Sequence, residues 1–190
     1  MTRINSFEGY CLNSLKSLYD AEHQIVAGLG RMAEAAMSPR LRNALSNHRQ
    51  QSERHIQRLD QVFALLAKTP ERKECVAIQA LLAEGEVLMR ELTRGPLLDA
   101  ALIETTQKIE HYEMAAYGTL RTFYSTLRRF NNHASKMEVA LLLGTTFQEE
   151  ADTDRVLTTI AETVINPEAA YKPHRRIIET LPTDAAQIFS

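Results

Sequence analysis

Glycine and proline are scarce, at 7 and 6 of 190 residues, and no stretch shows the sustained β-branched alternation of a half-buried strand. The composition favours an all-helical chain. Only two cysteines are present, Cys11 and Cys75. They form no CxxC or other metal-ligand spacing and are too few for a secreted disulfide framework, so reduced thiols are expected. No window reaches the roughly 20 apolar residues of a membrane span, and the N-terminus lacks the apolar run of a signal peptide. A cytoplasmic protein is therefore expected. With 22 basic against 24 acidic side chains the formal charge is −2, which gives no electrostatic reason to expect nucleic acid or a membrane as partner. Gly-rich phosphate loops, Ser-His-Asp arrangements and nucleophilic Cys-His patterns are missing too, which argues against hydrolases and nucleotide enzymes.

What is present is enough apolar material for one core, at 44% hydrophobic and 24% charged residues. Four long amphipathic helices are predicted. The first starts after Asn5 or Ser6 and runs to about Met37; the second runs from about Pro39, with Ser38 as cap, to Lys68. The third spans about Pro96 to Arg129, and the fourth about His133 to Ile165, stopping before Pro167. Residues 69–96 read as a long crossover holding one short helix, about Glu74 to Leu92, with Val76, Leu81, Leu82, Val87, Leu88 and Leu92 among its apolar residues. Such a connection returns the chain to the end of the bundle it left, which a tight turn cannot do. The domain reading is a bundle over residues 1–166 and a tail over 167–190 that is either a short helix packed on the bundle or a partner-binding or disordered end.

The inward stripes have polar faults. Residues 18, 22, 25, 29, 32 and 36 step by threes and fours, and Glu22 alone breaks their apolar run. The second stripe carries His48, Ser52 and His55 at its middle, with Gln51 beside them. Glu110, Glu113 and Tyr117 lie close to the third stripe, and Glu150 sits in the fourth with Asp154 one turn later. Glu149 and Asp152 point elsewhere and are expected to be solvated. The faults fall near the four helix midpoints and thus converge in one layer.

Five carboxylates (Glu22, Glu110, Glu113, Glu150 and Asp154) cannot all ionise there without counter-charge. Two metal ions would supply it, since carboxylates bridge cations, imidazoles take terminal positions, and oxygen-rich sets suit iron or manganese. This is the di-metal carboxylate arrangement of bundle cores. His48 and His55 are about 10.5 Å apart along the helix, too far to share one ion, so one ligates while the other supports. Tyr19, Tyr112, Tyr117 and Tyr124 read as packing residues, Tyr117 being the best placed to donate a hydrogen bond to the site. His23, His111, His133 and His174 read as surface residues.

The segments LYDAEHQI (18–25), HRQQSERHIQRLDQVF (48–63), CVAIQALLAEGE (75–86), DAALIETTQKIEHYEMAAYGTL (99–120) and EEADTD (149–154) resemble the bacterial YciF/YciE-like family of stress proteins, over about residues 6–165. The resemblance implies an all-α, ferritin-like antiparallel four-helix bundle, a homodimer, and a link to stress responses. By position it carries over Glu22, His48, Glu110, Glu113, Glu150 and Asp154 as standard acids and a histidine, with Gln51 and His55 at variable positions. The candidate metal residues are therefore Glu22, His48, Gln51, His55, Glu110, Glu113, Glu150 and Asp154. Neither the second nor the fourth helix has the Glu-x-x-His pair of better-known ferritin-like enzymes. Two functions stay open: a two-ion iron or manganese site for peroxide or dioxygen chemistry or iron sequestration, and a non-enzymatic dimeric stress protein whose Glu/His cluster is a metal-free network or a vestigial site.

Overall fold

The computed structural model describes residues 3–131 and 134–171, and every regular element among them is helical. The elements are α1 (Phe7–Ala35), α2 (Pro39–Leu65), α3 (Val76–Glu91), α4 (Pro96–Asn131), α5 (Ala134–Ile160), a π-helical turn (Ala161–Ile165) and α6 (Asn166–Tyr171). None of these helices is long and apolar enough to cross a membrane. Ser6 caps α1, its hydroxyl accepting from the Gly9 amide at 3.1 Å. Ser38 caps α2 with Pro39 in the first helical position, where the missing N–H costs no bond.

The turn between these helices is tied to α4. The buried carboxylate of Asp99 accepts from the Met37 and Ser38 amides, both at 2.8 Å. Hydrogen bonds to a charged group are each worth about 1.5–3 kcal/mol, so Asp99→Ala is expected to lower the melting temperature by about 5 °C or more in a thermal circular-dichroism scan. An unchanged midpoint would mean that the clamp holds nothing.

α1 packs on α2 and α4, and α5 on α2 and α4, closing a ring of four long helices around one core. Their relative directions follow from which residues meet. Tyr19 bonds Asp60 while Gly30 faces Arg49, so α1 and α2 are antiparallel. Tyr117 bonds Glu22 while Thr106 meets Met32, so α1 and α4 are antiparallel as well. α2 and α4 therefore run the same way, and the chain must return the length of the ring between them. Residues 66–95 do this with α3 as their body, lying against α1 and α4.

Two glycines permit that close approach. A Cβ on Gly28 would stand 2.3 Å from Leu82 Cδ2, and one on Gly85 2.9 Å from Thr105 Cγ2. On α3, Val76 and Val87 are exposed, while Ile78 and Gly85 turn inward. Apolar residues surround this short helix on nearly every side, so periodicity could not select the packed face. Its entry is held by Asp20, whose carboxylate accepts from the Cys75 amide (2.8 Å), Gln24 (2.6 Å) and Arg72 (2.8 Å). Burial opposes its ionisation, but these three donors outweigh burial and hold its pKa below the usual carboxylate range.

The last long helix departs from expectation. α5 ends at Ile160, and the π-helical turn leads into α6, which contains Pro167 instead of stopping before it. The wider turn is closed by the Asn166 amide donating to the Ala161 carbonyl, and the backbone stays helical through it, so the helix runs on past Pro167. The tail expected over 167–190 is described only as far as Tyr171, and 172–190 lie outside the described residues, as do His133 and His174.

Candidate metal centre

The polar faults of the four stripes are real and buried. Glu22, Glu110, Glu113, Glu150 and His55 are wholly inaccessible, and His48 is nearly so. Each sits between apolar neighbours on its own helix: Glu22 between Leu18 and Ile25, His48 and His55 between Leu45 and Leu59, Glu110 and Glu113 between Ile109 and Leu120, and Glu150 between Leu143 and Leu157. Amphipathic periodicity drives these faces inward through the flanking hydrophobes and carries the polar residues with them.

They meet as two overlapping groups. Glu22, His55, Glu113 and Glu150 offer ligand atoms all within 4.8 Å of one another, and so do His48, Glu110, Glu113 and Glu150. Glu113 and Glu150 belong to both groups, and each group has one histidine of its own. The separation of the two histidines along α2 brings one to each group. His48 Nε2 lies 2.8 Å from Glu110 Oε1, and His55 Nδ1 lies 2.8 Å from Glu150 Oε1 and 3.4 Å from Glu22 Oε1. These atoms are close without hydrogen-bond alignment. Both oxygens of Glu110, Glu113 and Glu150, Glu22 Oε2, both His48 nitrogens and His55 Nδ1 have no hydrogen-bond partner, whereas buried polar atoms are nearly always paired.

Crowding shifts the protons. Burial and then the neighbouring acids raise the Glu113 pKa well above its usual value. Burial pushes Glu110 up to about 8 against the pull of His48. Burial also opposes charge on the histidines, yet Glu110 and Glu150 hold His48 at about 9, and Glu150 and Glu22 hold His55 at about 10. For Glu150, burial is outweighed by the two histidines, and its pKa is lowered. Without metal, the raised pKa values of His48 and His55 favour imidazolium beside Glu150, while burial and crowding favour the protonated forms of Glu110 and Glu113.

The surroundings correct the sequence reading in three places. Gln51 is half-buried, and its carbonyl oxygen accepts from the Thr153 hydroxyl at 3.2 Å. Asp154 belongs to neither group: it accepts from Gln107 at 3.0 Å and lies 3.5 Å from the exposed ring of His111. One turn further along α5 is about 6 Å of rise, which carries it out of the layer. Glu149, expected in solvent, is half-buried, 2.8 Å from His55 Nε2 and gripped by Arg58 at 2.7 and 3.1 Å. Arg58 also donates to Thr146 at 2.6 Å. Burial of Glu149 is outweighed by Arg58 and His55, which lower its pKa. This carboxylate and arginine were missed, although Arg58 stands one turn after His55 and so marks the same edge of α2. Tyr117 meets its expectation, donating its hydroxyl to Glu22 Oε1.

The sequence matches, over residues 8–170, the family described as a domain of unknown function, DUF892. The chain belongs to this family. Within it, the chain is 32% identical over 170 residues to protein YciF of Escherichia coli (strain K12), covering 89% of this chain and 98% of the relative. The crystal structure of the E. coli stress protein YciF superposes with a TM-score of 0.79 at 32% identity, over 86% of this chain and 99% of that one. The structure of YcfI from Rhodopseudomonas palustris matches with a TM-score of 0.79 at 33% identity, over 85% and 99%. The DUF892 assignment and these matches bear out the YciF-like resemblance seen in the sequence.

Proposed function

We propose that this DUF892 protein is a ferritin-like four-helix bundle whose core holds two iron or manganese ions in a stress-associated role. The observation that carries the reading is the pair of four-residue groups sharing Glu113 and Glu150, whose buried ligand atoms converge within 4.8 Å and for the most part have no hydrogen-bond partner. Four carboxylates balance the charge of two divalent cations, and the mix of hard oxygens with one imidazole per position suits iron or manganese. Glu22 and His55 would hold one ion, Glu110 and His48 the other, with Glu113 and Glu150 common to both. When bound, such ions would supply electrons to peroxide or dioxygen, or would constitute stored iron.

The chain's own residues orient the site. Glu149 fixes the His55 ring through Nε2 and leaves Nδ1 facing the cluster, while Arg58 fixes Glu149. Tyr117 holds Glu22 and keeps a proton at its phenol, since burial and then Glu22 raise its pKa far above the usual value. Outer-sphere partners of this kind govern metal affinity by about 10–100-fold. Glu149→Gln and Arg58→Met are accordingly expected to weaken Mn(II) binding by at least about tenfold in calorimetric titration, with stoichiometry retained; wild-type affinity in both would remove Glu149 from the site.

A second reading, a metal-free network in a dimeric stress protein, is supported by the 2.8 Å contacts of His48 with Glu110 and of His55 with Glu150. Elemental analysis of protein from iron- or manganese-supplemented cells, followed by anaerobic reconstitution, separates the two. Occupied sites are expected; protein that holds no metal after both treatments overturns the metal reading and leaves the network. The homodimer implied by the family resemblance is read from sedimentation equilibrium of the same samples.

A further inference from the structure

A cavity of about 280 Å³ opens between α2 and α5, and His48 forms part of its wall. Asn47 and Gln51 from α2 and Glu149, Asp152 and Thr153 from α5 line it as well. Grooves also lie between α1 and α2, beside Gly30 and Arg49, and between α1 and α4, beside Ser17 and Ala116, but none of the six clustered acids and histidines lines either of them, and side chains interlock across the faces. Between α1 and α2, Tyr19 bonds Asp60 and packs edge-on against Phe63 and His23. Between α4 and α5, Gln107 bonds both Asp154 and Thr158, and Phe147 lies against Gly118. Over α1 and α4, Cys75 is anchored on Asp20 by its amide and meets the Tyr112 hydroxyl at 3.1 Å.

The α2–α5 face is built differently. Its closure beside His48 is one neutral contact, the Thr153 hydroxyl, which shares its proton between the Gln51 carbonyl oxygen at 3.2 Å and the Glu149 backbone carbonyl at 3.1 Å. Glu149 and Asp152 add carboxylates to the rim, Glu149 shared with Arg58 and His55, and Asp152 with Arg155 and Gln148. The geometry points to this groove as the route by which a divalent cation enters the cluster, with the Gln51–Thr153 pair as its gate and His48 as the first ligand met. The inference rests on the metal reading above. Neutral amide and hydroxyl oxygens replace waters of a hard cation and release it again, as a passage requires and a permanent ligand does not. Gln51 thus has a use although it stands outside both ligand groups.

The test is stopped-flow uptake of Co(II) by the metal-free full chain under anaerobic conditions, followed by visible absorption. Asn47→Trp plugs the exposed rim without touching a ligand, and Gln51→Leu/Thr153→Val removes the polar gate. Both are expected to slow uptake by about tenfold or more with the final Co(II) stoichiometry unchanged. Thr119→Trp, a plug over the exposed α1–α4 groove, is expected to keep the wild-type rate. Wild-type rates in Asn47→Trp, or equal slowing by Thr119→Trp, would overturn the route. A lower stoichiometry in the double variant would make Gln51 a ligand and overturn its part as gate. No Co(II) uptake by the wild type would refute the metal reading itself, a result distinct from all of these.

Discussion

Glu113→Gln and Glu150→Gln are each expected to take the metal content of reconstituted protein from about two ions per chain to near zero, whereas Glu22→Gln and Glu110→Gln each leave about one. The difference comes from sharing. Glu113 and Glu150 are common to both ligand groups, while Glu22 belongs to one and Glu110 to the other. A carboxylate presents two anionic oxygens and can serve two cations, but an amide presents one neutral oxygen and a donor nitrogen. Removing a shared acid therefore weakens both positions and leaves a positive excess between two nearby ions.

The loss does not require unfolding. In the metal-free state Glu113 sits among Glu22, Glu110 and Glu150, so a neutral isostere relieves repulsion there and the melting temperature of EDTA-treated Glu113→Gln should match or exceed wild type, whereas Glu150→Gln takes an acid away from His48 and His55 and should lower it. Elemental analysis combined with thermal melts reads both quantities. Retention of full metal content by Glu150→Gln, or the same content in all four variants, would rule out a shared-ligand site.

The stability of the metal-free protein is expected to fall steeply as pH rises from about 6.5 to 10. His48 and His55 have folded pKa values raised from 6.5 to about 9 and about 10. Their contribution is complete below the unfolded value of 6.5 and is lost as pH rises through the folded values. Glu110 acts in the same direction: raised from 4.5 to about 8, it keeps in the folded state a proton that the unfolded chain releases, so stability declines between those values. Glu149 and Glu150 act oppositely, their lowered pKa values giving stability that is present above the ordinary carboxylate range and lost as pH falls.

The metal-free optimum therefore lies on the mildly acidic side. Each group differing by one proton contributes about 1.4 kcal/mol per pH unit, so a melting-temperature drop of about 10 °C or more is expected between pH 6.5 and 9. Metal ions displace the same protons, and the stabilisation by added Mn(II) should grow over that interval. Differential scanning fluorimetry with and without Mn(II) measures both trends. A flat metal-free profile would show that the histidines carry no charge inside the helices.

Much of this was legible in the sequence. The stripes through Leu18, Ile25 and Leu29, through Leu41, Leu45 and Leu59, and through Val139, Leu143 and Leu157 set which face of each helix turns inward, because burying apolar side chains at helical spacing is a local property of the chain. Glu22, His48, His55, Glu110, Glu113 and Glu150 were identified as faults in those stripes and are buried together. Only the tertiary structure decided who meets whom. Asp154 shares a face with Glu150 but is drawn to Gln107 on α4, Gln51 is held by Thr153 on α5, and Glu149 is turned from solvent by Arg58 and His55 on α2. Periodicity fixes a residue's angle about its own helix, while the choice among acids one residue or one turn apart depends on partners that another helix brings within about 3 Å.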